Sequence, residues 1–161
     1  MNSAGSETST ACYACRLASG EETLVGGRIA QTRHWLVEHC MGPLGVGTLI
    51  VKPKRHVVHV HALSDEEAVE MGGLLKEAAR VVNEITRCSQ VYISLWSHAD
   101  WKPSHIHYVV QPIQLAMKDV YSAGAATLQS EMFRANQPLL KTEVVAFCEH
   151  ARRIIRVAAQ P

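Results

Sequence analysis

Between Pro103 and Pro112 the chain reads Ser104-His105-Ile106-His107-Tyr108-Val109-Val110-Gln111, an alternation that constrains its fold more than any other stretch. Successive side chains of a strand point to opposite faces, so this pattern predicts a half-buried strand over His105–Val110. His105, His107, Val109 and Gln111 fall on one face, and Ile106, Tyr108 and Val110 on the other. At a rise of about 3.3 Å per residue the two imidazoles are roughly 6.6 Å apart, close enough to serve one site.

Other elements are read from period and punctuation. Thr23–Val25, a turn at Gly26-Gly27, Arg28–Thr32 and Trp35–Val37 suggest extended chain with tight turns, and Thr48–Val51 a buried strand ended by Pro53. Ser64-Asp65-Glu66-Glu67 offers a helix cap with acidic first-turn residues. Apolar residues then recur from Val69 to Ile85 at helical spacing, which predicts a long helix lying across the sheet. Val91–Trp96 reads as a strand, and Gln114–Tyr121, Thr127–Arg134 and Thr142–Val157 as helices. Strands separated by short turns, with one long helix between them, give an α+β domain around an antiparallel sheet. The glycines of Gly42-Pro43-Leu44-Gly45-Val46-Gly47 fit neither phosphate-loop nor dinucleotide spacing, and a strand connection is the better reading.

The 161 residues, 47% of them apolar, suit one domain over residues 12–161; residues 1–11, rich in Ser and Thr, have nothing to bury and are expected to be disordered. Sixteen basic against 15 acidic residues leave a net charge of +1, so no global field draws the chain to nucleic acid or an anionic membrane. No apolar run reaches the roughly 18 residues of a membrane span, and the amino terminus lacks a leader pattern. The expectation is a soluble, cytoplasmic protein. Five cysteines, Cys12, Cys15, Cys40, Cys88 and Cys148, are odd in number and sparse, which favours reduced thiols.

His105-Ile106-His107 with its apolar continuation and closing Pro112 resembles the signature strand of the histidine triad (HIT) superfamily, normally His-x-His-x-His followed by two apolar residues. Gly47–His56, ending Pro53-Lys54-Arg55-His56, is similar to the family's strand ending in Pro-Lys-x-His, and Cys12-Tyr13-Ala14-Cys15 to its opening; the resemblance covers roughly Cys12 to Pro112. It implies a sheet of about five strands, commonly extended across a homodimer, and a nucleotide or dinucleotide as substrate.

Cys12 and Cys15 are spaced to reach one ion, and the pair alone is compatible with zinc, redox chemistry or plain packing. His56 and His105 lie where zinc-binding relatives place their ligands, which would close a structural Cys2His2 site; His59 and His61 compete with His56. His107 falls at the position of the nucleophile that takes a nucleotidyl group, and a neutral imidazole suits that chemistry. The third histidine of the pattern is replaced by Val109, which can neither stabilise charge nor move a proton. Gln111, roughly 13 Å from His107 along a strand, reaches only a distal part of a substrate. Where relatives carry Gln-Ser ahead of the strand this chain has Trp101-Lys102, so Lys102 and Ser104 are candidate phosphate contacts, with His98 and Ser97 beside them. Glu38 is the closest candidate for the acidic residue that grips ribose hydroxyls. The resemblance thus implies a hydrolase or nucleotidyl transferase acting at an α-phosphate. A nucleotide-binding module that has lost its chemistry, or a metal-responsive protein using the His56–His61 cluster, are the alternatives.

Overall fold

The computed structural model describes residues 12–97 and 104–157. The expected disorder of residues 1–11 and the candidates His98, Trp101 and Lys102 lie outside them. A short helix α1 (Tyr13–Ser19) leads into strands β1 (Arg28–Gln31), β2 (Trp35–His39) and β3 (Leu49–Pro53). A 3-10 turn (Val60–Ala62) precedes the long helix α2 (Asp65–Thr86), followed by β4 (Gln90–Trp96), β5 (His107–Ile113) and helices α3 (Leu115–Tyr121), α4 (Ala125–Ala135) and α5 (Lys141–Ile154). The five strands form one sheet in the order β1-β2-β3-β5-β4, antiparallel throughout. This is the α+β architecture the sequence predicts.

Helix α2 begins where its cap is written. Ser64 Oγ accepts the Glu67 amide and Glu67 Oε2 accepts the Ser64 amide, so two of the orphan donors at the helix start are satisfied reciprocally. Its inner stripe, Leu74, Ala78, Val81 and Val82, packs on Trp35, Val37, Leu49, Val51, Tyr108 and Val110, with Val144, Phe147, Cys148 and Ala151 of α5 beside it. Each large aliphatic side chain fully buried here contributes roughly 1.5–3 kcal/mol.

Two strand expectations are corrected. Thr23–Val25 forms no strand; the first hairpin joins β1 to β2 through Thr32–His34, with the Thr32 amide donating to Trp35 O. Gly26 instead turns the chain (φ +82) where α5 passes, and a Cβ there would meet Cys148 Sγ at 2.5 Å. The second correction concerns β5, which starts at His107 instead of His105 and runs through Pro112 to Ile113. Ser89 N donates to Ile113 O, so Ile113 turns its backbone polar groups toward β4 and Pro112 turns its nitrogen the other way. On that side β3 has already ended, its last partner being Leu49 opposite Val110, and the missing proline donor costs no ladder bond.

The opposite face of the sheet carries Glu38 on β2, Ile50 and Lys52 on β3, and His107, Val109 and Gln111 on β5. Helix α4 covers one end of it, where Leu128 and Met132 pack on Val109, Ile113 and Leu44. Helix α1 covers the other, and the functional residues gather beneath it.

Candidate functional site

The Cys12-x-x-Cys15 pair is held at the start of α1, where Cys12 is the cap residue and its carbonyl accepts from the Cys15 and Arg16 amides. His56 follows β3, and its neighbour Arg55 is clamped to Glu67 at the foot of α2 by bonds of 2.7 and 2.6 Å. His105 lies just ahead of β5, tied in by Ile106 N donating to Val57 O. One donor atom from each of Cys12, Cys15, His56 and His105 falls within 4.8 Å of every other.

Closer distances define the shape of this group. His105 Nδ1 is 3.6 Å from both Cys12 Sγ and Cys15 Sγ, and His56 Nδ1 is 3.4 Å from Cys15 Sγ. Tetrahedral zinc, with bonds of about 2.3 Å to sulfur and 2.0–2.1 Å to nitrogen, sets sulfur and nitrogen roughly 3.6 Å apart. These donors could therefore hold such an ion with little movement. His105 Nε2 lies 3.0 Å from Pro53 O, an acceptor only, so Nε2 carries the proton and Nδ1 keeps its lone pair. Burial, helped by the neighbouring His56 and Lys52, pushes the His105 pKa down to about 4 and keeps the ring neutral. His59 and His61 are exposed and stack on one another, ring centroids 5.3 Å apart; His56 is the residue that joins the group.

On the far side of α1 a cleft of about 290 Å³, near the lower end for small-molecule sites, is lined by Tyr13, Leu17, Glu38, Cys40, Ile50, Lys52 and His107 among others. His107 Nδ1 is 3.0 Å from His105 O. That carbonyl can only accept, so Nδ1 carries a proton, and in the neutral ring Nε2 is the nitrogen that can act as a nucleophile. Trp96, opposite it on β4, packs 6.2 Å away between ring centroids.

The loop floor of the cleft is fixed by His39. Its Nδ1 donates to Cys40 O at 2.6 Å and its Nε2 accepts the Gly47 amide at 2.9 Å, a pairing open only to the neutral ring. Burial lowers its pKa accordingly.

The structure brings His107 and Glu38 into one cleft and the four thiol and imidazole donors into one group. It does not bring Gln111 or Val109 to the cleft. Val109 is 1% exposed in the cluster under α4. Gln111, fully buried beside it, donates from Nε2 to Leu44 O and accepts at Oε1 from Gln129. Ser104 is half-buried and, among the described residues, is not part of the cleft lining.

Lys52 is not among the residues the sequence singles out; it falls within the Gly47–His56 run with no role of its own. Lys52 is 2% exposed, and its Nζ stands 2.6 Å from Glu38 Oε2 in an ion pair. The available signal was the period of β3, which puts Ile50 and Lys52 on one face. Tyr13 and Leu17 were missed as walls because nothing before Cys12 or after Cys15 fixes how α1 lies on the sheet.

No family model matches the chain, and no curated protein does. Solved structures do. A hypothetical histidine triad nucleotide-binding protein from Sulfolobus tokodaii strain7 superposes with a TM-score of 0.68 at 13% identity, over 89% of this chain and 91% of that one. A Zn-bound histidine triad family protein from Mycobacterium smegmatis gives 0.61 at 19%, over 88% and 95%. A HIT family protein from Bacillus anthracis gives 0.60 at 18%, over 82% and 90%. The chain has the fold of these histidine triad proteins.

Proposed function

We propose that this chain is a HIT-type nucleotide-processing protein, a hydrolase or nucleotidyl transferase that acts at the α-phosphate of a nucleotide or dinucleotide through a nucleotidyl-His107 intermediate. The observation that carries the reading is His107 itself, in the cleft, with Nδ1 committed to the His105 carbonyl. The Nε2 lone pair attacks the α-phosphorus; a P–N bond forms as the P–O bond to the leaving group breaks, and the leaving oxygen takes that electron pair and a proton from solvent. An acceptor oxygen, from water or a phosphate-bearing acceptor, then attacks phosphorus and gives up its proton to solvent. The P–N bond breaks and its electrons return to Nε2. The main-chain anchor holds the ring in place for both steps.

Cys12, Cys15, His56 and His105 are proposed as a structural zinc site, supported by the tetrahedral spacing of their donors and the protonation of His105. Bound zinc would supply folding energy there and take no part in phosphate chemistry. We also propose a single domain over residues 12–161, a cytoplasmic location and a homodimer. The edge strand β4 leaves Ile93 and Leu95 45% and 42% exposed, which supports pairing of this edge with a second copy. Among the described residues no helix is long and apolar enough to cross a membrane.

The test traps the intermediate. The protein is incubated with a nucleotide substrate labelled at its α-phosphate, quenched at alkaline pH and mapped by mass spectrometry; label belongs on His107, and His107→Ala should abolish adduct and turnover with the melting curve nearly unchanged. Parental turnover in His107→Ala would rule out covalent catalysis here. The second reading, a nucleotide-binding module without turnover, is favoured by Val109 being sealed under α4. It stands if parent and His107→Ala are equally silent yet both bind nucleotide.

A further inference from the structure

We infer that Lys52 is the cation that meets the ligand's phosphate in this cleft, and that Glu38 holds it there; this rests on the nucleotide reading of the cleft. The β3–β5 register pairs Leu49 with Val110, Ile50 with Val109 and Val51 with Tyr108. One step further along both strands sets Lys52 opposite His107 on the same face, where directly opposed Cβ atoms are about 4.5–5.5 Å apart. On its other side Lys52 meets Glu38 at 2.6 Å, the diagonal neighbour on β2. Glu38, Lys52 and His107 thus form a row across three strands, and all three line the cleft.

A buried lysine needs its charge answered, and Glu38 does so with one carboxylate oxygen while Arg28 stands 4.0 Å from the other. An ammonium has three donors, so the ion pair with Glu38 still leaves donors for oxygens on phosphorus bound at His107 Nε2. Charge-assisted bonds of this kind are worth about twice neutral ones. Lys52 thereby fills the electrostatic role that Val109, covered by α4, has no access to. Its part is electrostatic, and it transfers nothing.

Calorimetric titration of the full chain with AMP and with adenosine isolates the phosphate contribution. The parent should prefer AMP by about tenfold or more. Lys52→Met combined with Glu38→Gln removes both members of the ion pair, and it should lose the AMP preference, read as the ratio of AMP to adenosine affinity within that variant. Glu38→Gln alone should keep a reduced preference. In the unmutated protein the 13Cε signal of Lys52, assigned through Lys52→Arg, should shift with AMP and stay still with adenosine, a readout that needs no neutral variant to fold. A parent without AMP preference, a double variant that retains it, or a still Lys52 signal overturns the assignment. His107 is judged separately: an adduct without AMP preference sinks Lys52 alone, and AMP preference without an adduct sinks the covalent step alone.

Discussion

Val109 occupies the one position where the strand departs from His-x-His-x-His, and its surroundings explain why a histidine has no use there. It packs with Leu44, Ile113, Leu128 and Met132, all nearly inaccessible. Val109→His would bury an imidazole among hydrocarbon, and we expect a loss of about 2–4 kcal/mol in denaturant unfolding with no gain in turnover. Raised turnover at parental stability would show the position open to the cleft after all. His39 gives a second prediction at this scale. Burial lowers its folded pKa below 6.5, so the unfolded chain binds the proton more tightly; the stability it contributes is present above pH 6.5 and is lost as pH falls below that value. Denaturant midpoints should therefore drop between pH 7 and 5, and His39→Gln, whose amide oxygen still accepts from Gly47, should lessen that drop and leave the share that His105 contributes. That Cys12, Cys15 and His105 would group and that His107 would face a cleft was legible from residue type and spacing. Lys52 was not, because a lysine in an apolar strand declares its role only when the neighbouring strands place Glu38 and His107 on either side.

Helix α2 was readable almost to the residue because its signals are local: Ser64 caps, Glu67 closes the box and the apolar stripe sets the buried face. What the sequence did not disclose is that Glu67 also receives Arg55 at both carboxylate oxygens and, through its backbone carbonyl, accepts the Trp35 indole. Glu67→Ala removes the box and strands Arg55, so we expect a loss of about 2–4 kcal/mol by thermal or denaturant melting. Because Arg55 adjoins His56, metal affinity should fall with it, measured by chelator competition; unchanged affinity would separate the two. Thr23–Val25 misleads as a strand for the opposite reason. Gly26-Gly27 looks like a hairpin turn locally, yet Gly26 is fixed by α5, more than a hundred residues later. Gly26→Ala, strained at φ +82 and pressed against Cys148, should cost about 2–4 kcal/mol, whereas Gly72→Ala in open space on α2 should not destabilise the isolated chain. Pro112 likewise could be placed inside β5 only once the end of β3 was known.

Across the whole molecule the notable arrangement is that one seven-residue helix belongs to two sites. Cys15 on α1 joins the donor group, while Tyr13, Ala14 and Leu17 wall the cleft, and no metal-donor residue lines that cleft. Too short to hold itself, α1 depends on its anchor. Stripping the ion with a chelator, or Cys15→Ser, should lower the melting temperature and weaken AMP binding several-fold; AMP affinity indifferent to chelation would show that α1 docks without the ion. Zinc in the proposed site would hold both cysteines as thiolates, and thiolates are what peroxides attack. Were zinc held there, an oxidant that converted Cys12 and Cys15 would release it and unfasten one wall of the cleft together, with His107 untouched.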